Sequence, residues 1–216
     1  MIRLPMTTRT ASLSALLLGL TFHLATAAPL APAAYILNPP FESDPVDATM
    51  LDIVTSPFAS VDIRGQVISQ VYSGDDSNPF GVSGLTFTYR IIMDALSPHA
   101  VSGFSVGNYG GFGTDVSYNN LVAAGISPFM ANRSAGLGDV VRFTFFPGIA
   151  HGEASALLVV QTDSRTYERT LASVINSGSA VVASFAPSEV PEPAMAALAI
   201  LGGLAILGLR WQRPQA

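Results

Sequence analysis

Apolar and polar side chains alternate most cleanly over residues 85–94, where Leu85, Phe87, Tyr89, Ile91 and Met93 interleave with Thr86, Thr88, Arg90, Ile92 and Asp94. A period of two sends successive side chains to opposite faces of an extended chain, so this segment predicts a strand with one face in a core. The same period sets Val61, Ile63, Val67 and Val71 against Asp62, Arg64, Gln66 and Gln70, and the turn-forming run 73–79 ends that strand. Further β-favouring runs lie at Val101 to Val106, Val140 to Phe146, Ala156 to Thr162, Tyr167 to Ile175 and Ala180 to Phe185. The stretch Tyr118 to Asp139, broken by Gly125, Pro128, Gly136 and Gly138, reads as a long loop with one helical turn. Seven or so strands, punctuated by Gly, Pro, Asn and Ser and without a long amphipathic helix, predict an all-β antiparallel sandwich over residues 58–186. Residues 28–57 carry prolines at 29, 32, 39, 40, 45 and 57 and predict an extended arm or an edge strand.

Two stretches abandon the alternation and are apolar almost throughout. Leu13 to Leu24 is a run of 12 residues, about 18 Å as a helix, too short for a hydrocarbon core of about 30 Å. Arg3 and Arg9 precede it, no acid appears before Glu42, and Ala25-Thr26-Ala27 follows as a small-x-small site. Residues 1–27 therefore predict a signal peptide, with Ala25 and Ala27 presented to signal peptidase. Ala194 to Leu209 is a run of 16 residues, about 24 Å as a helix, and predicts one short transmembrane helix. Glu189 and Glu192 stand before it; Arg210, Trp211 and Arg213 stand after it. The positive-inside rule then leaves residues 210–216 as a basic cytoplasmic tail and puts the body across the inner membrane, in the periplasm. The signal peptide demands the same orientation.

Between body and helix, residues 187–193 form a linker ending in Val190-Pro191-Glu192-Pro193. With the short Ala/Leu/Gly-rich helix and the basic tail, this order resembles the PEP-CTERM sorting signal of Gram-negative bacteria. The resemblance covers residues 190–216. It implies a substrate of exosortase, a membrane enzyme that cuts near the Pro-Glu-Pro, and a destination at the cell surface or outside the cell, in the exopolysaccharide and biofilm matrix. The prolines suit a protease handle, because they cannot enter a helix interior and keep the backbone extended. Bodies carrying this tail are unrelated to one another. Ice binding, found with it in some proteins, does not carry over, because here Thr86-Phe87-Thr88 stands alone without a repeated array. The segments Leu85 to Tyr89, Gly111 to Val116, Arg133 to Gly136 and Ser155 to Thr162 look like the body of other proteins with this tail, a likeness that brings no activity with it.

Composition narrows the chemistry. Zero cysteines among 216 residues exclude a disulfide framework, a thiolate zinc site and an iron–sulfur cluster. Residues 28–190 hold six arginines against fourteen acids, a net charge of −8 that disfavours nucleic acid as a partner. The Gly-rich run Gly107 to Gly113 lacks the lysine of a phosphate loop, and the chain contains none. Asp75, Asp76, Ser77 and Asn78 are hard-oxygen donors that suit calcium, or else a solvated turn. No cofactor and no metal-ligand set is assigned. His99 and His151 fall in turn sequences without a Gly-x-Ser-x-Gly elbow or HExxH spacing. The sequon Asn132-Arg133-Ser134 reads as chance in a bacterial export context. Tyr72, Tyr89, Phe104, Tyr109, Phe112, Tyr118 and Phe129 belong either to the core or to a sugar-stacking platform. The function expected is a non-enzymatic, exported surface or matrix protein with a structural or adhesive role. The alternative is an exopolysaccharide-binding module assisted by calcium; a hydrolase finds no nucleophile and base to pair.

Overall fold

The computed structural model describes residues 29–189. Within them the chain is all-β, with eleven strands in two antiparallel sheets and no helix. The strands are β1 (Tyr35–Leu37), β2 (Thr49–Ala59), β3 (Arg64–Ser73), β4 (Thr86–Met93), β5 (Val101–Val106), β6 (Thr114–Asn119), β7 (Met130–Arg133), β8 (Val141–Ile149), β9 (Leu157–Thr162), β10 (Tyr167–Ile175) and β11 (Ser179–Pro187). One sheet has six strands in the order β1-β7-β8-β5-β10-β11, and the other five in the order β2-β3-β4-β9-β6.

One apolar core joins the two sheets. Val67, Val71, Phe87, Tyr89, Ile91, Val116, Leu158 and Val160 line it from the five-stranded side, and Phe104, Phe143, Phe145, Val174 and Phe185 from the six-stranded side. All five apolar positions of the alternating run 85–93 are buried. Polar bonds then fix how the layers sit. The Tyr89 hydroxyl donates to Phe185 O at 2.8 Å and lies 2.6 Å from the Tyr109 hydroxyl. Ser69 takes a core-facing position because its Oγ accepts from the Phe185 N–H at 3.1 Å and from Ser184 Oγ at 3.2 Å.

The seven runs read from periodicity all contain strands, and four further strands escape that reading. β1 and β2 come from the Pro-rich segment, where β2 crosses position 57 because an edge strand tolerates Pro57. Both strands lie at sheet edges, the edge-strand alternative, and the rest of the segment is irregular. β7 lies inside the expected long loop 118–139, whose helical turn is absent; it is only four residues long and is held between β1 and β8. Val61, expected on the buried face with Ile63, is 90% exposed, because residues 60–63 form the turn between β2 and β3 and the strand's alternation begins after it. Among the described residues no helix is long and apolar enough to cross a membrane. The expected signal peptide with Ala25 and Ala27, the motif Val190 to Pro193, the apolar run 194–209 and Arg210 and Arg213 lie outside the described residues.

Candidate functional site on the outer sheet face

The five-stranded sheet turns one face to the core, so alternation dictates what its other face carries. Gln70 and Tyr72 come from β3, Thr86, Thr88 and Arg90 from β4, Gln161 from β9, and Asp115, Ser117 and Asn119 from β6. Such a face normally meets water. Here much of it is buried, because the segment before β2 and the turn after β3 are bonded over it. Ser117 Oγ donates to Asp44 Oδ2 at 3.3 Å, Asn119 Nδ2 to Asp44 O at 2.9 Å, and the Val46 N–H to Asp75 Oδ1 at 2.9 Å.

Asp75 is the node of this cover and has no exposed surface. Besides Val46 it accepts from the Ser77 N–H at 3.1 Å, Ser77 Oγ at 2.5 Å, Thr86 Oγ1 at 2.6 Å and Gln161 Nε2 at 3.0 Å. Burial alone pushes its carboxyl up, but the bonds from Ser77, Thr86, Gln161 and Val46 outweigh it and hold the pKa below the ordinary value. The segment 75–78 is therefore neither a solvated turn nor an open calcium loop: the Asp75 oxygens are taken by protein donors, Asp76 points to solvent, and Asn78 Nδ2 donates to Thr162 O at 3.1 Å.

Beside this buried patch the same face opens into a groove of about 250 Å³ lined by Ile53, Ile68, Gln70, Tyr72, Arg90, Val122 and Leu157. Tyr72 is half-buried, and burial raises its phenol despite a bond with Thr88. Arg90 donates from Nη2 to Ala124 O at 3.3 Å, while its buried Nε has no partner. An aromatic ring and apolar walls, with the Arg90 guanidinium among the lining groups, suit a polar ring ligand.

The other expected candidates separate. Tyr89, Phe104 and Tyr109 are fully buried core and cannot stack on a ligand. Phe112 and Tyr118 are half-buried, the latter with its ring centroid 5.8 Å from that of Phe41, and Phe129 is exposed beside Phe146. His99 and His151 are exposed on separate turns. Tyr109 plugs the Gly-rich run into the core, and its carbonyl is held by Arg133. Arg133, read in the sequence as part of a chance sequon, is 4% exposed and donates to four carbonyls: Gly138, Leu30, Tyr109 and Phe112. Gly138, at φ 72°, brings its backbone so close to that guanidinium that a Cβ would collide with it. Arg133 thus fastens the amino-terminal segment to two loops.

A second, larger cleft of about 380 Å³ lies where the described chain ends. Asn108, Phe112, Asp139, Glu168 and Glu189 line it, and Asn108 Nδ2 donates to Glu168 Oε1 at 2.7 Å. Its acids face solvent one residue before Val190. No protein-family profile matches the chain, and no curated protein or solved structure matches it either.

Proposed function

We propose that this is an exported, exosortase-processed surface or extracellular-matrix protein whose β domain makes structural or adhesive contacts rather than carrying out catalysis. Signal peptidase and exosortase are its processing partners, and the membrane holds it only before processing, through a signal helix and a short transmembrane helix. What supports this reading is the order of signals in the sequence, an apolar run at 13–24 and another at 194–209 behind Val190-Pro191-Glu192-Pro193, with a hydrogen-bonded all-β body between them. Leu30, the third residue past the expected cut after Ala27, donates its N–H to Thr114 O at 2.8 Å. At the other end Thr166 Oγ1 donates to Ser188 O at 2.6 Å, two residues before Val190.

Intact-mass measurement on surface-associated and secreted fractions tests this. The expected product lacks residues 1–27 and the apolar run 194–209, and replacing Pro191, Glu192 and Pro193 by Ala leaves the chain in the membrane fraction. Full-length chain in the cytosol, or secreted material that keeps the carboxyl-terminal run, would overturn the reading.

A second reading, exopolysaccharide binding, is favoured by the groove at Tyr72 and Arg90. Retention on an extracellular polysaccharide that falls at least tenfold in Tyr72→Ala and in Arg90→Ala supports it; such a loss corresponds to about 1.4 kcal/mol. Tyr109 cannot serve in that test, because it lies in the core.

A further inference from the structure

Each sheet ends in two edge strands, and three of these edges are covered or cut short. Along β6 the amino-terminal segment is bonded: the Leu30 N–H to Thr114 O at 2.8 Å, the Glu42 N–H to Tyr118 O at 3.0 Å and the Tyr118 N–H to Pro40 O at 3.1 Å. β11 is held against the other sheet, its Ala183 O accepting from Ser56 Oγ at 2.9 Å and its Phe185 N–H donating to Ser69 Oγ at 3.1 Å. β1 has three residues, and left-handed backbone at Ala33 (φ 62°) and Asn38 (φ 49°) turns the chain away at both ends. Among the described residues β2 is the edge left open, eleven residues long and with Met50, Leu51 and Ile53 exposed. Proteins blunt such edges because a row of unpaired N–H and C=O groups is a template for a further strand.

The ladder fixes which groups β2 leaves open. The Asp94 N–H donates to Arg64 O at 3.0 Å, so the even-numbered residues of β3 turn their backbone to β4 and the odd-numbered ones to β2. Val67 and Ser69 oppose Ser56 and Val54, which leaves the backbone groups of Ile53, Thr55 and Pro57 pointing away from the sheet. Pro57, with no N–H to offer, fits that position. Ile53 and Thr55 are exposed, and among the described residues no backbone group bonds them on the outer side. Only Asp52 intervenes, its Oδ1 accepting from the Ile53 N–H at 2.8 Å in an exposed contact between sequence neighbours. The window 53–57 carries no charge, whereas residues 28–190 total −8. A partner of opposite charge has nothing to read there, and a second copy of the same acidic body approaches at least cost through such a neutral stretch.

We propose that β2 pairs antiparallel with β2 of a second copy of this chain, across a two-fold axis at Val54, joining the two five-stranded sheets into one continuous sheet. With Val54 opposite its own copy, Ile53 of each chain faces Thr55 of the other, and every N–H and carbonyl at 53 and 55 in both chains finds a partner. The bulge between Met50 and Asp52 ends the pairing on one side and the turn at 60–63 on the other. The interface is therefore small, and the dimer is weak and micromolar rather than obligate. Because one edge per chain is open, the pairing closes on itself instead of growing into a fibre. Asp52 competes for the Ile53 N–H and restrains the association. This self-contact does not depend on the export reading.

The test is sedimentation of the full-length chain in mild detergent over a concentration series. Wild type passes from monomer to dimer, and the dimer strengthens as salt screens the like charges. Thr55→Pro withdraws one edge N–H per chain where the β3 ladder loses none, so the melting temperature stays near wild type while the dimer weakens at least about tenfold. Asp52→Ala frees the Ile53 N–H and tightens the dimer by about threefold or more. The chain has no cysteine, so a single introduced one can pair only with its copy. Under oxidation Val54→Cys forms a disulfide-linked dimer, and Val181→Cys, exposed on β11, does not. A wild type that stays monomeric, as it does if this edge serves a strand of another protein, overturns the proposal. A dimer equally strong in Thr55→Pro, or a cross-link at position 181 and not at 54, also overturns it, by placing the contact elsewhere.

Discussion

Asp75 and Asp115 lie on the same outer face of the same sheet, both without exposed surface, and Gln161 stands between them: it faces Asp115 in the β6–β9 register and donates to Asp75. Five donor groups converge on Asp75 and none on Asp115. Their acidities part accordingly. Asp75 stays below the ordinary carboxylate range, because its hydrogen bonds outweigh burial. Asp115 is pushed up to about 7, first by burial and then by the charge of Asp44; the nearby Val116 N–H pulls weakly the other way without completing a hydrogen bond. Glu42 follows it to about 8, through burial and then the bond and charge of Asp44. Depth in the protein is the same for both aspartates, so it is the supply of donors that decides which one is stable as an anion.

Removing the well-served carboxylate has the largest effect. Asp75→Ala strands the N–H groups of Val46 and Ser77, two hydroxyls and the Gln161 amide, and unties the amino-terminal segment from the turn after β3. A cost of about 3–5 kcal/mol is expected, the range for breaking a buried charged network. Urea unfolding measures it as a lower midpoint at unchanged slope. A loss under about 1 kcal/mol would mean that water replaces these bonds and that Asp75 is no node.

The contrast also sets a pH profile. The Asp75 pKa is lowered on folding, so its contribution is present above its unfolded value of about 3.9 and is lost as pH falls through the folded value. Those of Glu42 and Asp115 are raised, so their contribution is full below about 4 and is lost as pH rises through about 7 to 8. The melting temperature is therefore highest near about pH 4–5 and declines toward pH 8. The double change Glu42→Gln and Asp115→Asn flattens the alkaline limb and leaves the acid limb in place. An unchanged alkaline limb would place the titrating groups elsewhere.

How much of this was legible in the chain depends on what carried the signal. Strands that cross the core announced themselves by alternation, as β4 does from Leu85 to Met93, because water exclusion acts on every second residue. β1 and β7 did not: they are short strips whose pairing is decided by neighbours, Tyr35 to Leu37 against Met130 to Asn132. β6 was hidden for a different reason. Residues 114–117 are all buried, so Asp115 and Ser117 are polar at positions that water does not reach. A polar residue on an alternating strand reads as exposed, and only the segment folded back over it reverses that. The carboxylate cluster is made by a contact across about 70 residues of sequence, between Asp44 and Ser117. No local spacing marks it, apart from two acids set among prolines at 39, 40 and 45. Arg90 was legible as a strand residue and not as part of a groove, since the groove needs the loop at 122–124, which no local spacing announces.

The smallest expected effect sharpens the same comparison from the adjacent position. Asp75 and Asp76 are indistinguishable as neighbouring acids in a turn, yet Asp76 is exposed and joins the network only through its backbone, its N–H donating to Val46 O at 3.1 Å. Asp76→Asn keeps that bond and removes a solvated charge, so stability changes by less than about 0.5 kcal/mol. A loss comparable with that of Asp75→Ala would show that charge in the turn, rather than the five donors around one carboxylate, holds the segment to the sheet. The two substitutions change side chains of the same kind one residue apart, so chain position and local charge are matched, and what remains to distinguish them is hydrogen-bond supply.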